Sequence, residues 1–540
     1  MPRRKIPKKT ELVQLQKLYK TDEKIAERLG NVSSQLVAYW RRKKNIPKHS
    51  FAKFSADEIR ELWERFGDDY RCGLELGISK AAFYNWRRKY GFKDKPAFLK
   101  LEQLELNLGG PQTGQRKISE NDNLTIAQKI LAKCAGLDKV EINQTIEVEP
   151  DLAVLPEETE QVIELFSRMG LNFVWNPNRI VISLNGKLSS SDHQGEIYKK
   201  IRDFSRRQNL KYFYETGEGC CHQLVVEKGN ILPGQLAVGS GSQTSSYGCI
   251  GAIGIDIDNS KMSNIWASGK IELKVPRAVR ITINGPVPKG IYARDIVLFA
   301  AKNIECGVDE NRVIEFYGNA VSQMSISERF TMANMSAQLG AIAAIVPYDN
   351  ITRRYISRLT NMPYRPALAD RNAIYSENYK LNIENLKPQI SLLGSTENKG
   401  ITAVAERERV PVNLVIIGSA TNGRFEDLRV AADIIKGKKV SSEVRMFVYP
   451  GSREIYLEAL KRGLIRAFIE AGANVMSPGT MPDLTRANGI LASGETCLST
   501  TGFNFGENIN QNTNIYQATP ATAVASALTG VITDPTGYIK

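Results

Sequence analysis

Two stretches near the start of this 540-residue chain repeat one another. Glu11–Pro47 and Glu58–Lys93 align with one gap at Asn31. The alignment pairs Leu15 with Leu62, Tyr19 with Phe66, Leu29 with Leu76, Gly30 with Gly77, Ser33 with Ser79 and Trp40 with Trp86. An Arg-Arg-Lys run follows each tryptophan. A duplication constrains the fold because both copies must satisfy one pattern, and two copies are too few for a solenoid. The spacing predicts three short helices per copy. Leu12, Leu15 and Tyr19 share one face, Thr21 caps a second helix that Gly30 ends, and Ser33 caps a third with Leu36, Val37 and Trp40 inward. In the second copy Ser55-Ala-Asp-Glu58 is a capping-box signature.

Charge separates this module from the rest. Residues 1–100 carry a net +13, and the other 440 carry +1 of the total +14. Short helix, glycine turn and capped basic helix form a helix-turn-helix, and each copy resembles the homeodomain-like class. The third helix of the first copy would carry Ser34, Gln35, Ala38, Tyr39 and Arg42 on its outer face, with Arg41 and Lys43 as further expected DNA contacts. In the second copy the expected contacts are Lys80, Tyr84, Asn85, Arg87, Arg88 and Lys89. Arginine reads guanine edges, amides read adenine and basic groups neutralise phosphates, so the expected partner is double-stranded DNA.

Gly109-Gly-Pro-Gln-Thr-Gly reads as a linker. The expected organisation is repeats at 1–50 and 51–97, a linker at 98–121, and a body divided at 400 into 122–400 and 401–540. No apolar run nears the ~18 residues of a membrane span, so no membrane partner is expected. Seven cysteines without a framework suit a reducing cytoplasm, and three histidines leave little for imidazole chemistry. Apolar runs such as Arg179–Ser183, Gly234–Gly239 and Val412–Gly418 alternate with amphipathic stretches, which predicts α/β layers with mostly parallel sheets.

The body resembles the aconitase superfamily, in particular the isopropylmalate dehydratase (isomerase) large subunit. The resemblance is carried by "TIAQKILAKCAGLDKVE" (125–141), "EKGNILPGQLAVGSGSQTSSYGCIGAIG" (227–254), "VIEFYGNAVSQMSISERFTMANMSAQLGA" (313–341) and "IGSATNGRFEDLRVAADIIKGKKV" (417–440). It implies three α/β/α domains around a cleft. It also implies a [4Fe–4S] cluster on three thiolates, one from G-S-C-T-N-G and two from P-G-C-x-x-C. Here those motifs read Gly418-Ser-Ala-Thr-Asn-Gly and Pro478-Gly-Thr-Met-Pro-Asp, so Ala420, Thr480 and Asp483 stand at the three ligand positions. The family's D-S-H-T is Gly241-Ser-Gln-Thr, and Phe503 replaces a carboxylate-clamping arginine. His222, Ser242, Gln243, Glu315, Ser419 and Asn504 remain as candidate cleft residues.

The combined expectation is a DNA-binding protein, a transcriptional regulator. Its cluster-less body would be catalytically inactive, a ligand-sensing or oligomerisation platform without cofactor or metal. An unknown small molecule, a second copy of the chain or a small-subunit-like partner carrying the family's swivel domain would complete it. The alternatives are an assembly protein on the same scaffold and a cluster-independent hydro-lyase.

Overall fold

Ser33 and Ser79 each accept a hydrogen bond from the backbone three residues on (Leu36 N and Ala82 N, both 3.2 Å), which starts the two basic helices where the spacing predicts. In the computed structural model the described residues are 7–19, 21–29, 32–47, 54–66, 69–76, 78–92, 123–156, 158–184, 194–304, 311–395, 400–479, 491–501 and 513–539. The chain divides into two units, 1–120 and 121–540.

The first unit holds α1 (Lys9–Tyr19), α2 (Asp22–Leu29), α3 (Ser34–Lys43), α4 (Ala56–Phe66), α5 (Asp69–Glu75) and α6 (Lys80–Lys89). The Ser55–Glu58 capping box is formed in both directions, at 2.7 and 3.2 Å. Ile59, Trp63, Cys72 and Phe83 make the core of the second copy. The expected linker, 98–121, lies outside the described residues.

Three main sheets organise the body. The first has five parallel strands in the order Tyr212–Tyr214, Ile180–Ser183, Leu152–Leu155, Leu236–Gly239 and Ile253–Asp256. Three of them are buried at every position, as parallel strands covered on both faces must be. The second sheet runs Ala343–Ile345, Arg312–Tyr317, Arg277–Asn284 and Glu377–Asn382, all parallel. The third has seven strands, with Leu414–Gly418 between Thr496–Ser499 and Arg445–Tyr449. It also takes in Gln389–Leu392, ahead of the division expected at 400. The α/β expectation holds, and the three strands named from sequence begin one or two residues later than read.

Separate apolar cores lie beneath the first and third sheets, and the second sheet turns one face to the first sheet's core and the other to a core of its own. On its shared face Val313, Ala343 and Ile345 pack into the core of the first sheet. Glu315 and Tyr317 alternate with Ile314 and Phe316, so they lie on that same face. Among the described residues no helix is long and apolar enough to cross a membrane.

Candidate active site

The strand Leu414–Gly418 ends on Gly418 at φ +110°, and Ser419 follows at φ +63° before a one-turn helix, Ser419–Asn422. This turn is the body's polar centre. Asn422 Oδ1 accepts two hydrogen bonds from the Arg294 guanidinium at 3.0 and 3.1 Å, and its Nδ2 donates to Asp427 Oδ1 at 2.9 Å. Arg424 donates to Ser327 Oγ (2.8 Å), Ala420 O (3.0 Å), Thr331 Oγ1 (2.6 Å) and Thr421 O. Thr421 Oγ1 donates to Asn334 Oδ1 at 2.8 Å, and Asn334 Nδ2 donates to Ser246 Oγ at 2.9 Å. Ser246 in turn donates to the Gln243 carbonyl at 2.6 Å. Charge sits in this network under strain. Burial lowers the Arg294 guanidinium to about 10 and raises the Asp427 carboxyl above its usual range.

Ser419 lies at this centre, with Cys220 Sγ 3.9 Å from its hydroxyl. Gln243 borders the centre. Ser242 opens the same 3₁₀ stretch, Ser242–Ile250. His222 lies on the helix Cys221–Glu227, paired through Nδ1 with Tyr247 Oη at 2.9 Å. Burial pushes its imidazole down to about 3, so it is neutral at physiological pH. Glu315 belongs to a different cluster. It accepts from Ala127 N (3.2 Å), Tyr317 Oη (2.9 Å) and Tyr375 Oη (2.8 Å). Asn504, Thr480 and Asp483 lie outside the described residues.

The cluster that the fold family implies does not fit this donor set. Ala420 is 2 % exposed and offers a methyl group where a thiolate is required. The other two ligand positions are a hydroxyl and a carboxylate in sequence, and iron–sulfur clusters are held by thiolates. Among the described residues no group of three His, Cys, Asp or Glu could hold a metal ion.

Sequence reasoning missed Arg294, Asn334, Asn422 and Arg424. The signal was a pair of arginines inside otherwise apolar, capped helical stretches, "YARDIVLFA" and "NGRFEDLRV". Two of the twelve DNA-facing assignments also need correction. Arg41 and Arg87 are 8 % and 7 % exposed, and each forms a two-pronged ion pair, with Asp22 and Asp69 respectively. Val37, Trp40 and Arg41 recur at i, i+3 and i+4, which places the arginine on the buried face with the tryptophan. Tyr39, Arg42, Lys43, Lys80, Tyr84, Asn85, Arg88 and Lys89 are exposed, as is Gln35, and Ser34 is half-buried.

With this geometry in view, the comparisons define the class. A family model described as the aconitase family (aconitate hydratase) matches residues 177–407 and 393–530. The chain belongs to the aconitase family. It is 36 % identical over 418 residues to the 3-isopropylmalate dehydratase large subunit 1 of Methanopyrus kandleri, covering 77 % of this chain and 99 % of that protein. It is 38 % identical over 374 residues to a probable methanogen homoaconitase large subunit of Methanosarcina mazei, covering 69 % and 95 %. A 3-isopropylmalate dehydratase large subunit of Moorella thermoacetica is 38 % identical over 423 residues, covering 77 % and 100 %. Among solved structures, aconitase X of Thermococcus kodakaraensis matches with a TM-score of 0.40 and 12 % identity, over 66 % of this chain and 84 % of that one.

These relatives overturn the expectation of a DNA-binding transcriptional regulator with an inactive body. Most of the chain is similar to proteins named as large subunits of metabolic enzymes, and the likeness points to a metabolic enzyme.

Proposed function

We propose that the body works as a large-subunit-type component of a hydro-lyase or isomerase acting on a hydroxylated carboxylic acid. 3-Isopropylmalate and the homoaconitate-type acids of its relatives' names are the first candidates. The observation that carries this reading is the continuous likeness, at 36–38 % identity, to such large subunits. The polar centre supports it. Arg294 Nη1 and Gln243 Nε2 border the Ser419–Asn422 turn and are buried donors without a hydrogen-bond partner among the described residues. A buried donor left unmade costs about 1–3 kcal/mol, and carboxylate oxygens are acceptors of the kind these donors lack.

In this reading Arg294 and Gln243 bind the carboxylate, and the buried walls around His222 exclude water. The cluster's Lewis-acid step is not assigned to this chain, because its ligand positions do not supply thiolates. The test is calorimetric binding of 3-isopropylmalate and homoaconitate to the full-length chain, with turnover followed by formation of the unsaturated acid. Saturable binding that Arg294→Gln weakens about tenfold is expected. Absence of both binding and turnover for the two acids would refute the proposal.

A further inference from the structure

A second polar cavity lies beside the two tyrosines that bind the buried Glu315 carboxylate, away from the Ser419–Asn422 turn. Its volume is about 300 Å³, at the lower end of small-molecule sites. Arg280, Tyr317, Tyr375 and Arg371 line it, with Pro347 and Leu368 as the apolar wall. The floor is built. Glu315 is fully buried, and its Oε2 accepts from both tyrosine hydroxyls, which also stand 2.9 Å from each other. With the hydroxyls so engaged, the two rings are fixed.

Arg280 lies over those rings, 4.3 Å from the Tyr317 centroid and 5.6 Å from that of Tyr375. Stacking occupies the face of a guanidinium and leaves its edge of N–H donors free for a planar anion. Among the described residues neither Arg280 nor Arg371 forms an ion pair. The one carboxylate on the cavity wall, Asp370, is already engaged. It accepts from Leu124 N at 2.9 Å and pairs with Lys129, so it does not neutralise the arginines. Two cations therefore face a cavity whose nearby acids are already satisfied.

We infer that this cavity is a binding site for a small organic anion, with a carboxylate or phosphate head on Arg280 and Arg371 and an apolar body against Pro347 and Leu368. Two arginines without anionic partners favour an anion over a neutral ligand, and an aromatic-backed guanidinium favours a planar or tetrahedral oxyanion. The site is separate from the Ser419–Asn422 turn and shares no residue with it.

The experiment is isothermal titration calorimetry on the full-length chain with malonate, phosphoglycolate and inorganic phosphate, at low and raised salt. One saturable site is expected, weaker at raised salt. Arg280→Gln is expected to weaken it at least about tenfold, and Arg371→Gln severalfold. Arg371 is exposed, so that variant keeps the test sound even where Arg280→Gln unfolds. Arg294→Gln, which tests the reading of the polar centre, leaves this binding in place. A preference among the three probes would support the proposal and name the head group. Binding unchanged in both cavity variants, or no saturable binding of any probe, would overturn it.

Discussion

Single buried residues set much of this protein's response to substitution and pH. Arg87 is held by Asp69 at 2.7 and 2.9 Å, donates to Phe92 O at 2.5 Å, and lies 4.0 Å over the Trp63 ring. Removing one partner of such a pair strands a buried charge. Asp69→Ala should cost about 3 kcal/mol, read by hydrogen exchange of residues 56–92 across a urea series. Arg88→Ala, one residue on and exposed, should cost less than about 0.5 kcal/mol. His222 and Asp295 act on pH in opposite directions. His222 is depressed from 6.5 to about 3 by burial, so the unfolded chain binds a proton there first as pH falls. Its contribution is whole above pH 6.5 and is lost toward pH 3. Asp295 is raised from 3.8 to about 7 by burial, so its contribution is whole below pH 3.8 and lost as pH rises through 7. Thermal midpoints measured across this range should lose their acid-side slope in His222→Gln and their neutral-side slope in Asp295→Asn.

At the scale of elements, the strand-to-turn junction at Gly418 organises the polar centre. A Cβ on Gly418 would sit 2.0 Å from Tyr449 O, at a φ of +110°. Gly437 has a comparable φ of +74° but open space around it. Gly437→Ala should therefore cost about 1–2 kcal/mol, the left-handed penalty alone. Gly418→Ala should cost more than about 4 kcal/mol or leave the third sheet unfolded, checked by denaturation and near-UV dichroism. The junction's existence was legible: an apolar run ending in glycine, then small polar residues. Its contacts were not, because Arg294 reaches Asn422 from 128 residues away. The basic helices show the same divide. Their caps and apolar spacing are local and readable, and that spacing already puts Arg41 on the buried face beside Trp40, but its ion-pair partner Asp22 lies 19 residues away.

For the whole molecule, the aconitase-family scaffold carries Ala420, Thr480 and Asp483 where the sequence resemblance expects cluster thiolates. The first and second sheets pack against each other through Val313, Ala343 and Ile345, and no thiolate is needed for that burial. The purified chain should therefore carry no stoichiometric iron or sulfide after anaerobic reconstitution, measured by elemental and acid-labile sulfide assay. Combining Ala420→Cys, Thr480→Cys and Asp483→Cys should allow loading, since it supplies the three thiolates that such a cluster requires. Stoichiometric cluster in the parent chain would mean that other groups of this protein ligate it.

Chemical identity and local periodicity belong to the chain, so the helices of both repeats, the buried strands and the lost thiolates were determined by sequence alone. A methyl group at position 420 cannot ligate iron in any fold. Which acids pair with the inward arginines, which tyrosines close over Glu315 and where a cavity remains depend on residues far apart in the chain meeting within each packed unit. Burial and pairing energies arise only on that contact, and the tertiary structure alone decided them.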